Sequence, residues 1–345
     1  MEATKKPLQP KVIIAILIAG LSVFIIYFTF FIDPQQVIKT LTQTNPLIYA
    51  TAFITYTLYT LCSALTWRSL LGNIAVKITP NKALLYTWVG LFFEAAVPQL
   101  GWSAEVSKTY LLTKDSKTEA GKIGASVVGQ KILNMTITVT ALSTGLGLLL
   151  FRYALKFETA LLIGAILGLI ILALTTIYYI SLKPSATKTL LSWAIKVTLF
   201  FRKNWEPKNF QTKAEKLLDS FHINIAHLRA NPKALITPVI YGVTGFICEI
   251  SVLFITFAAL GQPISIDVVL IVFTLTGALQ SVGTAFIIPE LIMTVTLSAL
   301  FIDPAVAFSA ALLSRGVNLW FRLVVSCGAL QLAGIKLIHQ TNQNK

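Results

Sequence analysis

Length, composition and charge together exclude a soluble protein. The chain has 345 residues, of which 55% are hydrophobic and 12% charged, whereas an ordinary soluble domain carries about a quarter charged residues. Apolar runs recur along the whole chain, and each is long enough to cross a hydrocarbon core of about 30 Å as a helix. The composition therefore predicts an all-α integral membrane protein.

Six apolar segments predict full transmembrane helices, and two further segments predict broken ones. The six full spans are 12–32, 46–66, 123–151, 159–181, 234–260 and 304–335. The other two, 83–121 and 262–303, are interrupted by Pro and Gly and contain a carboxylate. We predict that each forms a re-entrant or broken helical hairpin, because irregular backbone at membrane depth is tolerated where it lies within protein or lines a cavity.

The placement of the 28 basic residues predicts the orientation of the chain. Twenty-two of them lie in five segments: the N-terminus, 67–82, 102–122, 182–233 and the tail from Lys336. Basic residues collect in cytoplasmic loops, so these segments are assigned to the cytoplasm. The sequence thus predicts a multi-pass protein of the plasma or inner membrane with a cytoplasmic N-terminus. This placement also argues against nucleic acid as the partner of a basic chain.

The segment 182–233 separates a first membrane unit, 1–181, from a second, 234–345. Leu190 and Trp193 begin an apolar pattern at helical spacing beside basic residues, and a second such pattern runs from Phe210 to Leu228. Two interpretations remain open. The helices would lie against anionic lipid headgroups, or the segment is a solvated run of charge that only sets the topology.

The two membrane units carry a similar series of polar residues in apolar surroundings. In each, a carboxylate follows a Pro-interrupted stretch, and a basic residue follows it 26 or 25 positions later, with an Asn one turn further on. The residues are Glu105, Lys131 and Asn134 in the first unit, and Glu290, Arg315 and Asn318 in the second. With the predicted topology the units are inverted copies, as in transporters whose substrate site lies near the midplane. Chance similarity of two apolar sequences is the alternative.

Three more charged residues, Glu94, Glu249 and Arg322, fall in or beside hydrophobic segments and are secondary candidates. A charge near the bilayer centre costs at least about 2.5–3.5 kcal/mol on insertion scales, so such residues pair with each other or face a cavity. Basic side chains there would hold a lipid phosphate, and the carboxylates would hold an amine or a proton. Ion pairs that merely join helices are the alternative.

The segments Pro98–Lys108 and Gln130–Asn134 resemble the membrane domain of bacterial lysylphosphatidylglycerol synthases and its stand-alone bacterial and archaeal relatives. The family's Gly-Glu-x-x-Arg/Lys motif reads Ala-Glu-Val-Ser-Lys here, ending at Lys108, and Gln130 stands where the family has Glu. The segment Ser281–Glu290 resembles its Gly-rich loop, and Arg315 its following Arg. The resemblance implies a lipid flippase domain, often dimeric, with inverted repeats and re-entrant helices. It adds Lys108 to the candidate substrate-binding residues.

We therefore expect a translocase that moves a phospholipid or polyprenyl-linked lipid between leaflets. The expected partners are membrane lipids, anionic or lipid-linked, and a second copy of the chain in a homodimer. No metal or other cofactor is expected. The alternative is an integral membrane enzyme, or an accessory subunit, of lipid-linked glycosyl or phosphate transfer, with Glu105 or Glu290 as acid or base.

Overall fold

A computed structural model describes residues 33–96, 102–152, 157–201, 208–280 and 288–343. These residues form α-helices joined by short connections, together with a 3-10 turn at Pro232–Leu235 and a π-helical turn at Gly316–Phe321. The α-helices are α1 (Pro34–Thr42), α2 (Pro46–Asn73), α3 (Pro80–Ala96), α4 (Ser103–Ser116), α5 (Ala120–Arg152), α6 (Phe157–Leu182), α7 (Pro184–Phe201), α8 (Lys208–Ala230), α9 (Ile236–Ala259), α10 (Ile266–Gln280), α11 (Ile288–Ala299), α12 (Pro304–Arg315) and α13 (Arg322–Gln343).

Four helical segments of the described chain are long and apolar enough to cross a membrane. They are Pro46–Asn73, Ala120–Arg152, Pro232–Ala259 and Pro304–Gly334, and they match four of the predicted spans. The predicted span 159–181 falls within α6, which has 26 residues. The predicted span 12–32 lies outside the described residues. The prediction of an all-α integral membrane protein is confirmed.

A polar residue caps the N-terminus of two of the membrane helices. The side chain of Asn45 accepts hydrogen bonds from the first turn of α2, and the side chain of Asp303 does the same for α12. A Pro follows each cap at the first helical position, where its missing N–H costs nothing. These cap-Pro pairs fix where two of the spanning segments start.

Each membrane unit contains a pair of short helices between its long ones. In the first unit α3 packs against α4, and Lys82 Nζ lies 2.8 Å from Asp115 Oδ2 at the open end of the pair. The 17 residues of α3 span about 25 Å and the 12 residues of α11 about 18 Å, less than the hydrocarbon thickness of a bilayer. The lengths suit hairpins that enter and return, which remain a prediction.

The two units interlock through their short helices. In the first unit α3 packs on α13 of the second, and in the second unit α10 packs on α5 of the first. Between them α2 lies along α9, where a Cβ added at Gly245 would lie 3.1 Å from Cys62 Cβ. Small residues allow such close approach of membrane helices. Exchanging the two units leaves this pattern of packing unchanged, whereas the inversion of one unit relative to the other remains a prediction.

The polar segment 182–233 folds into α7 and α8. Leu190 and Trp193 of α7 are exposed, as the predicted amphipathic pattern requires. However, α8 packs along the first half of α5: Leu228 is buried, and Ser220 Oγ donates to Glu119 Oε2 at 2.8 Å. One side of α8 is thus covered by the protein itself, while other side chains of α8 remain exposed.

Candidate functional site

The first of two partly buried ion pairs joins α4 of the first unit to the long helix α5 that follows. Glu105 lies in the first turn of α4, and Lys131 lies inside α5. Lys131 Nζ is 3.5 Å from Glu105 Oε1, and the two side chains are 28% and 16% exposed. The same ammonium lies 5.3 Å from the centroid of the Trp102 ring. A carboxylate and an aromatic face therefore share one cation.

The second ion pair has the equivalent position in the second unit. Glu290 lies in the first turn of α11, and Arg315 is the last residue of α12. Arg315 Nε is 2.6 Å from Glu290 Oε1, and the side chains are 13% and 11% exposed. This pair is shorter and less exposed than the first, and a charge-assisted hydrogen bond of this kind is about twice as strong as a neutral one. The structure therefore brings each predicted Glu together with its predicted base.

The helix changes its winding directly after Arg315. Gly316–Phe321 forms a π-helical turn inside the span Pro304–Gly334, and such turns are frequent at functional sites. Tyr49 of α2 donates a hydrogen bond from its hydroxyl to the carbonyl of Leu313 at 2.7 Å. This contact fixes α2 against the wide turn beside the Arg315 ion pair.

In both pairs the second carboxylate oxygen is buried without a hydrogen-bond partner among the described residues. These atoms are Oε2 of Glu105 and Oε2 of Glu290. A buried acceptor that lacks a donor costs about 1–3 kcal/mol, and more when it is charged. Each site therefore retains an acceptor that an amine, a hydroxyl or a proton would satisfy.

Lys108, the remaining candidate of α4, belongs to a different contact. Its side chain is 6% exposed, and its Nζ donates to Gln130 Oε1 at 3.1 Å. Gln130 in turn donates from Nε2 to the backbone oxygen of Ser63 at 2.9 Å, and Lys108 Nζ lies 5.3 Å from the Trp67 ring centroid. Lys108 therefore fastens α4 to α2 and α5 and is enclosed by protein.

The equivalent contact is missing from the described part of the second unit. With the register that aligns the two ion pairs, Met293 corresponds to Lys108 and Ser314 corresponds to Gln130. Both residues are buried, and Ser314 Oγ has no hydrogen-bond partner among the described residues. The two units thus share the ion pair and differ in the polar contact one turn away.

The two predicted Asn residues lie one turn beyond the bases. Asn134 is exposed on α5, and Asn318 is half-buried in the π-helical turn. Among the described residues no hydrogen bond links either side chain to an ion pair. Their predicted role in substrate binding remains a prediction.

The secondary candidates form a separate polar group between α2, α9 and α13. Glu249 lies within hydrogen-bonding reach of Tyr59, and Arg322 within reach of Tyr56. Arg322 Nε is buried without a partner among the described residues. Glu94 acts on this group through its charge but is exposed at the end of α3. This group lies beside the aromatic ring of Phe321, which packs against Tyr56 with centroids 6.3 Å apart.

Several residues of these sites carry no charge and were not predicted from the sequence. They are Tyr49, Tyr56, Tyr59, Trp67 and Trp102. The three tyrosines recur at helical spacing in α2, together with Phe53. That stripe of hydroxyl-bearing rings in an apolar helix was the available signal, because buried tyrosine hydroxyls generally need a partner.

The chain resembles known proteins over a stretch that includes every residue of the candidate site. A family model described as the lysylphosphatidylglycerol synthase TM region matches residues 12–326. The chain is 24% identical to a UPF0104 membrane protein of Methanocaldococcus jannaschii, over 86% of this chain and 87% of the relative. It is 23% identical to one of Pyrococcus horikoshii, over 88% and 92%, and 24% identical to one of Methanothermobacter thermautotrophicus, over 88% and 90%. No solved structure matches the chain.

Proposed function

The chain belongs to the family of the lysylphosphatidylglycerol synthase transmembrane region, and from that membership we propose that it is a lipid translocase of the flippase type. It moves a phospholipid or a polyprenyl-linked lipid from one leaflet to the other. The headgroup passes through the protein beside the buried ion pairs, while the acyl or prenyl chains stay in lipid.

The observation that carries the proposal is the pair of matching ion pairs at equivalent positions of the two membrane units. Isolated buried ion pairs stabilise a fold poorly, because desolvation offsets most of their attraction. Lys131 and Arg315 are the groups that would bind a lipid phosphate, which competes with Glu105 and Glu290 for them. A carboxylate released in this way takes up a proton or the amine of the headgroup.

The packing of the helices supports an inverted repeat around this site. We assign the first repeat to residues 1–181 and the second to 234–345, with the broken hairpins at 83–121 and 262–303. In such transporters the substrate binds at the interface of the repeats near the midplane. The packing of α3 on α13 and of α10 on α5 supports this assignment. In the proposed arrangement each hairpin lies against the long helix of the other repeat.

The charge distribution supports the orientation in the membrane. With the basic segments 102–122 and 182–233 in the cytoplasm, α5 runs outward and α12 with α13 runs inward. We assign the protein to the plasma or inner membrane, with its N-terminus in the cytoplasm. Its partners are anionic or lipid-linked lipids and a second copy of the chain.

Reconstitution into liposomes tests the proposal. The rate of transfer of fluorescent phospholipids and polyprenyl-linked lipids between leaflets is compared for the wild type, Glu105→Gln, Lys131→Ala and Arg315→Ala. We expect at least about a tenfold loss of rate in the three variants, since each removes a charged contact worth about 1.5–3 kcal/mol. Arg315→Lys keeps the charge without the planar guanidinium and is expected to retain part of the rate.

The ion pair of Lys188 with Asp219 provides the matched control, because it is exposed and lies on α7 and α8. Lys188→Ala is expected to transfer lipid at the wild-type rate. Transfer that is unchanged in all three site variants would contradict a route through the ion pairs. Melting temperatures in detergent separate loss of transfer from loss of folding.

A further inference from the structure

A cavity of about 470 Å³ lies where the last transmembrane helix of the first unit meets the polar segment. One residue, Lys183, separates the end of α6 from the start of α7, and α8 packs beside this corner. Ser181 and Pro184 line the cavity on one side, and His222, Ile225 and Arg229 line it on the other. The cavity is distinct from the two ion pairs, since it shares no residue with them.

The end of α6, beside the cavity, carries residues typical of the depth of the lipid headgroups. Tyr178 and Tyr179, in the last turn of α6, are 46% and 52% exposed, and Tyr and Trp side chains gather at this level of a bilayer. Lys183 is exposed one turn further on, four residues after Tyr179, with its Nζ 4.7 Å from the Tyr179 ring centroid. An aromatic pair followed by a lysine marks the boundary between hydrocarbon and headgroups.

Arg229 lines the cavity, and the helices that form this corner carry further exposed basic and apolar side chains. Arg229 is exposed two turns after His222 on α8, and Lys233 is exposed after the end of that helix. Trp193 of α7 and Ile223 of α8 are large apolar residues that are 64% and 70% exposed. Lipid offers both partners that such a surface lacks, an anionic headgroup and a hydrocarbon chain.

His222 holds the wall of the cavity in place. Its Nδ1 lies 3.0 Å from the carbonyl oxygen of Ser181, and its Nε2 lies 2.7 Å from Thr187 Oγ1. A neutral ring satisfies both contacts when Nδ1 donates to the carbonyl and Nε2 accepts from the hydroxyl. The hydroxyl of Thr187, which also lies 2.9 Å from the carbonyl oxygen of Pro184, then gives its one hydrogen to His222. One imidazole therefore ties α8 to the end of α6 and to the first turn of α7.

We propose that this cavity binds the phosphate-bearing headgroup of an anionic phospholipid from the adjacent leaflet, with Arg229, the basic residue that lines it, as the phosphate donor. The lipid occupies the corner between α6, α7 and α8, and its chains lie against the exposed apolar residues. This lipid is a bound component of the protein rather than its transported substrate. The proposal stands without the translocase activity.

Lipid nanodiscs test the proposal. The protein is placed in phosphatidylcholine nanodiscs with or without phosphatidylglycerol, and amide hydrogen exchange is followed in residues 178–190 and 220–231. Phosphatidylglycerol is expected to slow exchange there in the wild type. In Arg229→Gln the concentration needed for protection is expected to rise about fivefold, which corresponds to the loss of one basic residue near an anionic surface.

Lys213→Gln is the matched control, because it removes the same charge from an exposed position of α8 that does not line the cavity. It is expected to behave as the wild type. Equal loss of protection in both variants would overturn the cavity as the site and leave only a diffuse basic surface. Protection by inorganic phosphate alone would overturn the assignment to a lipid. Neither outcome depends on whether the protein transports lipid, so the two proposals fail separately.

Discussion

Gln130 and Lys131 are adjacent on α5, but their side chains contact different residues of α4. Gln130 accepts from Lys108 in a buried contact, and Lys131 pairs with Glu105 in a more exposed one. Lys108 is therefore a residue that positions α4, while Lys131 pairs with Glu105 at a more exposed place on α5. The sequence analysis placed Lys108 and Lys131 together among the candidate substrate-binding residues, and the packing separates them.

Replacing Gln130 with Leu is expected to destabilise the fold by about 2–3 kcal/mol, because the buried ammonium of Lys108 loses its acceptor. Thermal unfolding in detergent measures the effect. Lys108→Met combined with Gln130→Leu removes both polar groups and is expected to recover part of the loss. A double variant as unstable as the sum of the single variants would contradict this explanation.

His222 makes the corner of α6, α7 and α8 sensitive to acid. Burial lowers its pKa below the ordinary value of 6.5, a lowering that Lys188 strengthens and that the carbonyl of Ser181 and the charge of Asp219 oppose. Because the unfolded chain binds the proton more tightly, this contribution to stability is complete above about pH 6.5 and is lost as the pH falls toward the lower pKa of the folded state.

Amide exchange in residues 178–190, corrected for the intrinsic pH effect, is therefore expected to become faster as the pH falls from about 7.5 to about 5.5. His222→Gln is expected to remove this acceleration. His227→Gln, an exposed position on the same helix, is expected to preserve it. The same acceleration in the His222→Gln variant would assign the effect to another group.

At the scale of single elements, the π-helical turn Gly316–Phe321 begins at a glycine that is in close contact with Tyr49 of α2. A Cβ added at Gly316 would lie 2.5 Å from Tyr49 Oη, and that hydroxyl is held by the carbonyl of Leu313. Tyr49 therefore occupies the space that a side chain would need. The turn, the tyrosine and the glycine form one unit beside Arg315.

Gly316→Ala is expected to displace Tyr49 and to lower the free energy of unfolding by about 1–3 kcal/mol, the usual range for overpacking. In a Tyr49→Phe background the hydroxyl is absent, so the added cost of Gly316→Ala should be smaller. Gly328→Ala is the control on the same spanning segment, because no atom lies within 4 Å of its added Cβ. Equal costs at positions 316 and 328 would exclude a clash with Tyr49.

At the scale of the whole molecule, the sequence was sufficient for the fold class and for the pairing of each Glu with its base. Both depend on local signals, namely the length of the apolar segments and a base that follows each Glu by 26 or 25 residues, on the long helix after the hairpin. The contacts of Tyr49, Tyr59 and His222 were not predictable in the same way. They join helices that are distant in the chain, and a polar atom on such a helix finds its partner only through packing.

Cysteine accessibility in a background without Cys62, Cys248 and Cys327 tests the topology. Lys114→Cys and Asp303→Cys place a thiol at an exposed residue of each unit. A membrane-impermeant reagent added outside the cell is expected to label position 303 and to spare position 114, since the basic residues near 114 favour the cytoplasm. Labelling of position 114 from outside would reverse the assignment of the first hairpin.

The buried contact of Lys108 with Gln130 bears on whether the proposed translocase is open to the inside or to the outside at rest. Two identical inverted units would give the inward-open and outward-open states the same energy by symmetry. The contact exists in the first unit, while the second has Met293 and Ser314 at the corresponding positions. In the translocase proposed above, opening the first unit would break this contact and would cost more than opening the second, and a difference of about 1.4 kcal/mol gives a tenfold preference. We infer that such a translocase rests open to one side of the membrane.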